Sequence, residues 1–216
     1  MTHSSQSMSG ERFGAFAAVV FWFALSLQLV LSLGLSYAKG NNTLQALWTY
    51  FAFFTILTNL LAAITLTLPI VARRTRAGTF FARPGVVTAV TAYMVVVGIT
   101  YNLLLRNVWQ PQGWQLVADV LLHSVNPLLF VAYWWLRGRD VRVGYSSIPV
   151  WAVYPLAYLA YALARGLGGD FYAYPFIDVR ALGLGRVLAN AAAIAAGFGV
   201  LAATLIALGR ASRPRV

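Results

Sequence analysis

The stretch FGAFAAVVFWFALSLQLVLSLGLSY, residues 13–37, carries no charged side chain from one end to the other. An α-helix rises about 1.5 Å per residue, so a run of this length crosses the roughly 30 Å hydrocarbon core of a bilayer. The run is also longer than the apolar region of a secretory signal peptide. It therefore predicts a first membrane-spanning helix that is retained in the protein.

Five further apolar runs of comparable length follow this stretch. We predict membrane-spanning helices at roughly 13–37, 45–71, 85–105, 115–136, 147–165 and 186–208. The chain of 216 residues is 60% hydrophobic and only 10% charged, with a mean hydropathy of +0.72, whereas about a quarter of the residues in soluble domains are charged. The predicted fold class is an all-α integral membrane protein, a bundle of six transmembrane helices forming one domain over 13–208. We expect a disordered N-terminus over 1–12 and a basic tail over 209–216.

The net charge of +11 comes mostly from arginines at the ends of these runs. Arginines concentrate on the side of the membrane that carries both termini, so the positive-inside rule predicts that both termini are cytoplasmic. Because arginines in this arrangement mark topology beside anionic lipid, nucleic acid is not an expected partner. The composition, rich in arginine, alanine and glycine, is typical of bacteria, and we predict a multi-pass protein of the bacterial inner membrane.

Cysteine is absent from the chain, and His3 and His123 are its only histidines. These counts exclude disulfides, cysteine-ligated metals and thiol nucleophiles. We therefore predict no metal and no other cofactor. Polar groups within the spans are costly in lipid, so each of them is a functional hypothesis.

One group of polar residues lies in DVLLHSVNPLLF, residues 119–130 of the fourth span. Asp119, His123 and Asn126 recur at helical spacing and share one face, so the Asp119 carboxylate can reach the His123 ring one turn later. Pro127 has no backbone N–H for the His123 carbonyl, which predicts a kink. The alternative to a catalytic role is a buried histidine that completes a packing network.

The second span carries FFTILTN, residues 53–59, in which Thr55 and Asn59 lie on one helix face. In a continuous helix over 45–71, Thr55 lies about 15 Å deep, and His123 lies at nearly the same depth. A carboxylate that orients an imidazole beside a hydroxyl is an arrangement that activates a nucleophile. We therefore predict catalytic roles for Thr55, His123 and Asp119. A lone threonine in a span more often bonds to a helix backbone or a neighbouring helix.

Other polar residues are candidates for binding the substrate. The predicted donors to an oxyanion are Asn59, Asn126 and Asn102. Tyr158 belongs to an aromatic stripe that leads to Arg165, and Arg186 lies at the same predicted membrane surface. These arginines are suited to a carboxylate or a lipid phosphate. Alternatively, the stripe is packing and the arginines extend to lipid headgroups.

Four segments together resemble a known family: FFTILTN (53–59), YNLLLR (101–106), LLHSVNPLLF (121–130) and YPFID (174–178). In this order, over about residues 15–208, they are similar to the bacterial six-helix membrane proteins called Pr-six-Pr, distant relatives of the androgen-induced membrane hydrolases. The eukaryotic relatives are threonine hydrolases that cleave fatty-acid esters of hydroxy fatty acids. The resemblance implies that their essential threonine and histidine correspond to Thr55 and His123, whereas the role of Asp119 rests on spacing alone.

Two functions of different kinds follow from these residues. The first is an intramembrane lipid ester hydrolase in which Thr55 attacks a long-chain fatty-acid ester and His123 accepts the proton. The second is a non-enzymatic small transporter or lipid-binding membrane protein that uses Asp119 and His123 as a proton or substrate site. The lack of an internal repeat weighs against a transporter, and a purely structural bundle is a third interpretation. The expected partner is a membrane lipid or fatty-acyl ester, and the oligomeric state is left open.

Overall fold

The computed structural model describes residues 2–139, 142–169 and 171–211, and of residues 2–9 and 138 only the backbone. Within these ranges every regular element is helical, and six helices are long and apolar enough to cross a membrane. This confirms the predicted all-α membrane class and the number of spans. The six spans are Gly10–Ala38, Phe54–Val71, Pro84–Leu105, Trp114–Arg137, Tyr145–Leu167 and Leu184–Ala211. Residues 212–216 of the predicted basic tail lie outside the described residues.

The chain forms two compact units, Met1–Asp140 and Val141–Val216. The single domain predicted over 13–208 stays a prediction. Hydropathy locates spans, but it carries no information about which spans pack against each other. The first unit contains four of the spans and the second unit contains two.

The first unit is built from helices joined by short connections and π-helical turns. Its α-helices are α1 (Thr2–Ala38), α2 (Thr43–Tyr50), α3 (Phe54–Val71), α4 (Arg76–Phe81), α5 (Pro84–Thr100), α6 (Trp114–Val120) and α7 (Asn126–Tyr133). The π-helical turns are Tyr101–Leu105, Leu121–Val125 and Trp134–Gly138. The second of these turns joins α6 to α7 within one span.

The spans of the first unit form a closed ring. Helix α1 packs against α3 and α7, and α5 packs against the same two helices. Each of the four helices contributes a side chain that is at most 1% exposed: Phe21, Leu66, Met94 and Phe130. The rings of Phe21 and Phe130 meet edge-on with centroids 6.1 Å apart. This core fixes the positions of the helices that carry the polar residues.

The continuous helix predicted over 45–71 is wrong. Residues 51–53 separate α2 from α3, and Phe53 has an extended backbone with φ −96° and ψ 132°. The Tyr50 hydroxyl donates to the Leu25 carbonyl at 2.9 Å, which holds the end of α2 against α1. This contact joins residues far apart in the sequence, so helical periodicity does not reveal it.

The first helix begins at Thr2, within the N-terminus that was expected to be disordered over 1–12. Glu11 in this helix makes tertiary contacts. Its carboxylate lies 3.0 Å from Arg73 and 3.6 Å from Arg137. These ion pairs join the first turns of the apolar part of α1 to the ends of two other helices. The polar composition of residues 1–12 did not predict these ion pairs.

The second unit contains α8 (Ile148–Leu167), α9 (Val179–Leu182) and α10 (Leu184–Ala211), with 3-10 turns at Tyr145–Ser147 and Pro175–Ile177. Helix α8 packs against α10. The Asn190 side chain donates to the Phe176 carbonyl at 2.9 Å and so attaches the Pro175–Ile177 turn to α10. Most side chains of α8 and α10 are exposed or partly exposed, as expected for helices that face lipid.

Candidate functional site

Asp119 is a buried carboxylate, with a side chain that is only 6% exposed. One carboxylate oxygen, Oδ2, accepts a short hydrogen bond from the Tyr101 hydroxyl. The other oxygen, Oδ1, lies 3.2 Å from Nδ1 of His123. Both oxygens are therefore engaged, and this removes much of the penalty of placing a carboxylate away from water.

His123 is held by Asp119 and by the ring of Tyr101. Its Nδ1 contacts two acceptors, the Asp119 carboxylate and, at 3.0 Å, the Asp119 backbone carbonyl. Since acceptors surround Nδ1, we assign the ring proton to this nitrogen, which leaves Nε2 as the acceptor of the neutral ring. The Tyr101 ring stacks on the imidazole with centroids 3.8 Å apart and planes 15° apart. The His123 side chain retains 16% exposure.

The π-helical turn at Leu121–Val125 explains how a proline is accommodated beside His123. In this turn the Asn126 N–H bonds to the Leu121 carbonyl, five residues earlier. Pro127 has no N–H, so it donates neither to Leu122, five residues earlier, nor to His123, four residues earlier. The Asn59 side chain donates to the Leu122 carbonyl at 3.2 Å. A side chain from α3 thus supplies a donor where Pro127 has none, and the residues before Pro127 form a π-helical turn. The predicted kink stays a prediction.

Asn59 and Asn126 connect α3 to the segment that carries His123. Asn59 Nδ2 donates to the Thr55 carbonyl at 2.8 Å as well as to Leu122, and Asn126 Nδ2 donates to Asn59 Oδ1 at 2.8 Å. Both asparagines are fully buried. Asn126 Oδ1 has no hydrogen-bond partner among the described residues. A buried unpaired acceptor is destabilising unless a donor reaches it.

Thr55 is buried, at 7% exposure, and is the second residue of α3. The predicted depth of Thr55 in the membrane was counted along a continuous helix over 45–71. Because this segment is divided into α2 and α3, that count does not apply. Its link to the histidine segment instead runs through the Asn59 side chain. The Thr55 and Leu122 carbonyls lie within hydrogen-bonding distance of the same Asn59 nitrogen.

The third predicted oxyanion donor, Asn102, has a different environment. Its side chain is exposed, donates to the Gly98 carbonyl at 2.9 Å and accepts from Arg106 at 3.1 Å. These contacts lie within its own helical segment. The hydrogen bonds of the first unit thus place the five other predicted residues in two groups, and Asn102 lies on the exposed side of its segment. Asp119 and His123 form one group. Thr55, Asn59 and Asn126 form the other, which Asn59 attaches to the carbonyl of Leu122, the residue before His123.

The remaining predicted residues belong to the second unit. Arg165 is 7% exposed and donates to the Tyr161 hydroxyl at 2.8 Å. Tyr158 lies beside Tyr161, with ring centroids 6.2 Å apart. These contacts agree with the predicted aromatic stripe along α8. Arg186 is exposed near the start of α10, and the substrate-binding role of these residues stays a prediction.

Sequence reasoning missed Tyr101, which contacts both Asp119 and His123. One feature of the sequence, Gly98, three residues earlier in the same helical segment, could have indicated the role of Tyr101. A Cβ atom at Gly98 would lie 3.4 Å from the His123 carbonyl and 3.4 Å from Pro127 Cβ. A small residue at such a contact indicates that two helices approach closely, and the next helical turn then faces the partner helix.

A metal site of the usual kind is not found in the described part of the chain. No three side chains among its histidines, aspartates and glutamates come together there. The Asp119 and His123 pair is thus a hydrogen-bonded acid and base rather than part of a larger ligand cluster. Comparisons with protein-family models, curated proteins and solved structures find no match to this chain.

Proposed function

We propose that this protein is an intramembrane lipid ester hydrolase of the threonine type, resident in a bacterial inner membrane with both termini cytoplasmic. The observation that carries the proposal is the contact of 3.2 Å between Asp119 Oδ1 and His123 Nδ1. Beside it lies a second group of buried hydrogen bonds, in which Asn59 donates to the carbonyls of Thr55 and Leu122. An imidazole held at Nδ1 by a carboxylate has its other nitrogen available as a general base. The resemblance to membrane threonine hydrolases points to the same pair, Thr55 and His123.

In the first step the Thr55 hydroxyl oxygen attacks the carbonyl carbon of a long-chain fatty-acyl ester, and His123 Nε2 accepts the hydroxyl proton. The bond from that carbon to the alkoxy oxygen then breaks, and His123 returns the proton to the leaving alcohol. In the second step a water molecule attacks the acyl-threonine ester while His123 accepts its proton. The fatty acid leaves, and the proton returns to Thr55.

Asp119 and Tyr101 act on this reaction through His123. The carboxylate keeps the ring proton on Nδ1 and stabilises the imidazolium that forms during each step. The stacked Tyr101 ring limits rotation of the imidazole, and its hydroxyl fixes the carboxylate. Both are positioning residues, whereas Thr55 and His123 contact the reacting atoms.

Asn126 is the best-placed of the predicted oxyanion donors. Asn59 has two amide hydrogens and donates to two carbonyls. Asn126 donates through its amide nitrogen to Asn59 and has a second hydrogen on that nitrogen. The exposed Asn102 side chain already contacts Gly98 and Arg106. We therefore assign the donor role to Asn126.

The test is labelling of the full chain, in detergent and in reconstituted vesicles, with a fluorophosphonate that reacts with activated hydroxyls. Thr55→Ala is expected to abolish both labelling and hydrolysis of a long-chain fluorogenic ester. Thr58→Ala is the matched control, since Thr58 is fully buried on the same helix. It is expected to keep both signals.

Full ester turnover by Thr55→Ala would overturn the proposal. So would proton-coupled uptake into vesicles that survives Thr55→Ala and disappears in Asp119→Asn, because that result assigns the acid and imidazole to transport.

A further inference from the structure

A second polar feature of the first unit lies at the end of its helices that carries Arg137. A cavity of about 250 Å³ opens there, and its walls include Glu11, Arg73, Arg137, Tyr133 and Pro69. Asp119 and Arg137 belong to one span and are 18 residues apart, which corresponds to roughly 27 Å along a helix. The cavity is therefore separate from the residues proposed for ester hydrolysis.

More positive than negative side chains line this cavity. The Glu11 oxygen Oε1 lies 3.0 Å from Arg73 and 3.6 Å from Arg137, so one carboxylate is shared by two guanidinium groups. The Arg73 side chain is 66% exposed and that of Arg137 35%. A single negative charge does not neutralise two cations, and both cations are accessible. Among the described residues that line the cavity, positive charge is therefore in excess.

Two glycines of α1 define the position of Arg137 and Tyr133. A Cβ atom at Gly10 would lie 2.5 Å from Arg137 Cδ, and one at Gly14 would lie 2.8 Å from Tyr133 Cε2. The glycines are four residues apart and occupy one face of the helix. They allow the arginine stem and the tyrosine ring to lie directly on α1, which gives the cavity a wall with little freedom to collapse.

We propose that this cavity binds a phosphate group, with Arg73 and Arg137 as its ligands. Guanidinium groups match the geometry of phosphate oxygens and form charge-assisted hydrogen bonds with them. The apolar part of the wall, formed by Pro69 and its neighbour Ile70, suits the glycerol and first carbons of a lipid. The location at the end of membrane-spanning helices places the group where lipid headgroups lie.

The connection between α3 and α5 adds positive charge beside the cavity. It contains Arg74, Arg76 and Arg83, and the Arg83 guanidinium lies 5.6 Å from the ring centroid of Phe80, which is 46% exposed. A basic segment with an exposed aromatic residue is typical of a membrane surface. Phosphate can come from an anionic lipid or from solution, and the chemistry of the two arginines is the same for both.

Replacing Glu11 distinguishes a phosphate-binding site from an ion pair that only holds the helices together. In a phosphate site the Glu11 carboxylate competes with the ligand for the same two guanidinium groups. Removing its charge by Glu11→Gln is expected to tighten binding about threefold, while the attachment of α1 to the other helices weakens. If Glu11, Arg73 and Arg137 serve only to hold α1 in place, Glu11→Gln lowers the stability of the folded protein and leaves phosphate binding unchanged.

The experiment uses the purified full chain in detergent, titrated with dioleoyl phosphatidylglycerol, with dioleoylglycerol, which lacks phosphate, or with inorganic phosphate. Binding is measured as the rise of the thermal midpoint and as adducts in native mass spectrometry. The double variant Arg73→Gln/Arg137→Gln is expected to bind phosphatidylglycerol about tenfold more weakly. Arg73→Gln alone provides a milder variant with an exposed side chain. Arg74→Gln is the matched control, because it removes one charge beside the cavity.

A response to phosphatidylglycerol without a response to inorganic phosphate assigns the site to a lipid. A response to both that is lost in the double variant assigns it to phosphate from either source. The proposal is overturned if Arg74→Gln and Arg73→Gln weaken binding equally, since general attraction then explains the binding. It is also overturned if Glu11→Gln fails to tighten binding, or if neither phosphate compound binds.

Discussion

Asp119 and Glu11 each contact two partners in the first unit, but their surroundings differ. The Asp119 carboxylate is 6% exposed and is held by a tyrosine hydroxyl and an imidazole. The Glu11 carboxylate is 39% exposed and is held by two guanidinium groups. A buried carboxylate needs every oxygen paired, whereas an exposed one can exchange its partners with water or with a ligand. The first arrangement suits fixed catalytic geometry, and the second suits binding.

The largest difference between the two acids is expected when each is replaced by its amide. Asp119→Asn keeps one acceptor oxygen, so the side chain no longer accepts from both Tyr101 and His123, and its amide favours the wrong tautomer of the imidazole. We expect a loss of stability of about 1–3 kcal/mol and a fall in ester turnover of about 10²–10⁴-fold. Glu11→Gln is expected to change stability by about 1 kcal/mol or less and turnover hardly at all. Thermal unfolding in detergent and initial rates measure both. Equal losses in the two variants would contradict the comparison.

The two regions also differ in how tightly a glycine packs. An added Cβ at Gly14 would lie 2.8 Å from the buried Tyr133 ring, while one at Gly98 would lie 3.4 Å from the His123 carbonyl. Gly14→Ala is therefore expected to cost about 1–3 kcal/mol through overpacking, and Gly98→Ala clearly less. Gly34→Ala is the control, since nothing lies within 4 Å of an added Cβ there. A larger loss at Gly98 than at Gly14 would show that the histidine segment is the more tightly packed region.

Tyr101→Phe separates the hydroxyl of Tyr101 from its ring. The ring still stacks on His123, but Asp119 loses a donor, so we expect about 1 kcal/mol less stability and about tenfold slower turnover. Tyr50→Phe is the matched control, because its hydroxyl also makes a buried hydrogen bond, to the Leu25 carbonyl. Tyr50→Phe should lose similar stability and keep its turnover. If both variants keep full turnover, Tyr101 does not position the carboxylate.

The smallest expected effect is that of salt. Raising NaCl from about 0.05 M to about 1 M shortens the Debye length to about 3 Å, which screens exposed charges far more than buried ones. The stability difference between the parent protein and Glu11→Gln should then nearly vanish. The stability difference between the parent protein and Asp119→Asn should stay the same to within a few tenths of a kcal/mol, because salt screens buried charges only weakly. The thermal midpoint against salt measures both, and a salt-sensitive Asp119 would show that water reaches its carboxylate.

Much of the candidate site could be predicted from local spacing. Asp119 and His123 are four residues apart on one helix, so their contact follows from helix geometry. Asn59 and Asn126 were recognised as polar residues within spans, yet their hydrogen bond joins two helices and required the fold. Tyr101 was missed for the same reason, because its partners lie 18 and 22 residues further along the chain.

The sequence by itself determined that this chain is an all-helical membrane protein with six spans, since the length and apolarity of a helix decide whether it can cross a bilayer. It also determined the pairing of Asp119 with His123, which is a property of a single helix. Only the tertiary structure decided that α2 and α3 are separate, that Asn59 bonds to the carbonyl exposed by Pro127, and that Glu11 lies between two arginines. These features depend on which helices pack together, and residues distant in sequence have no spacing rule that brings them into contact.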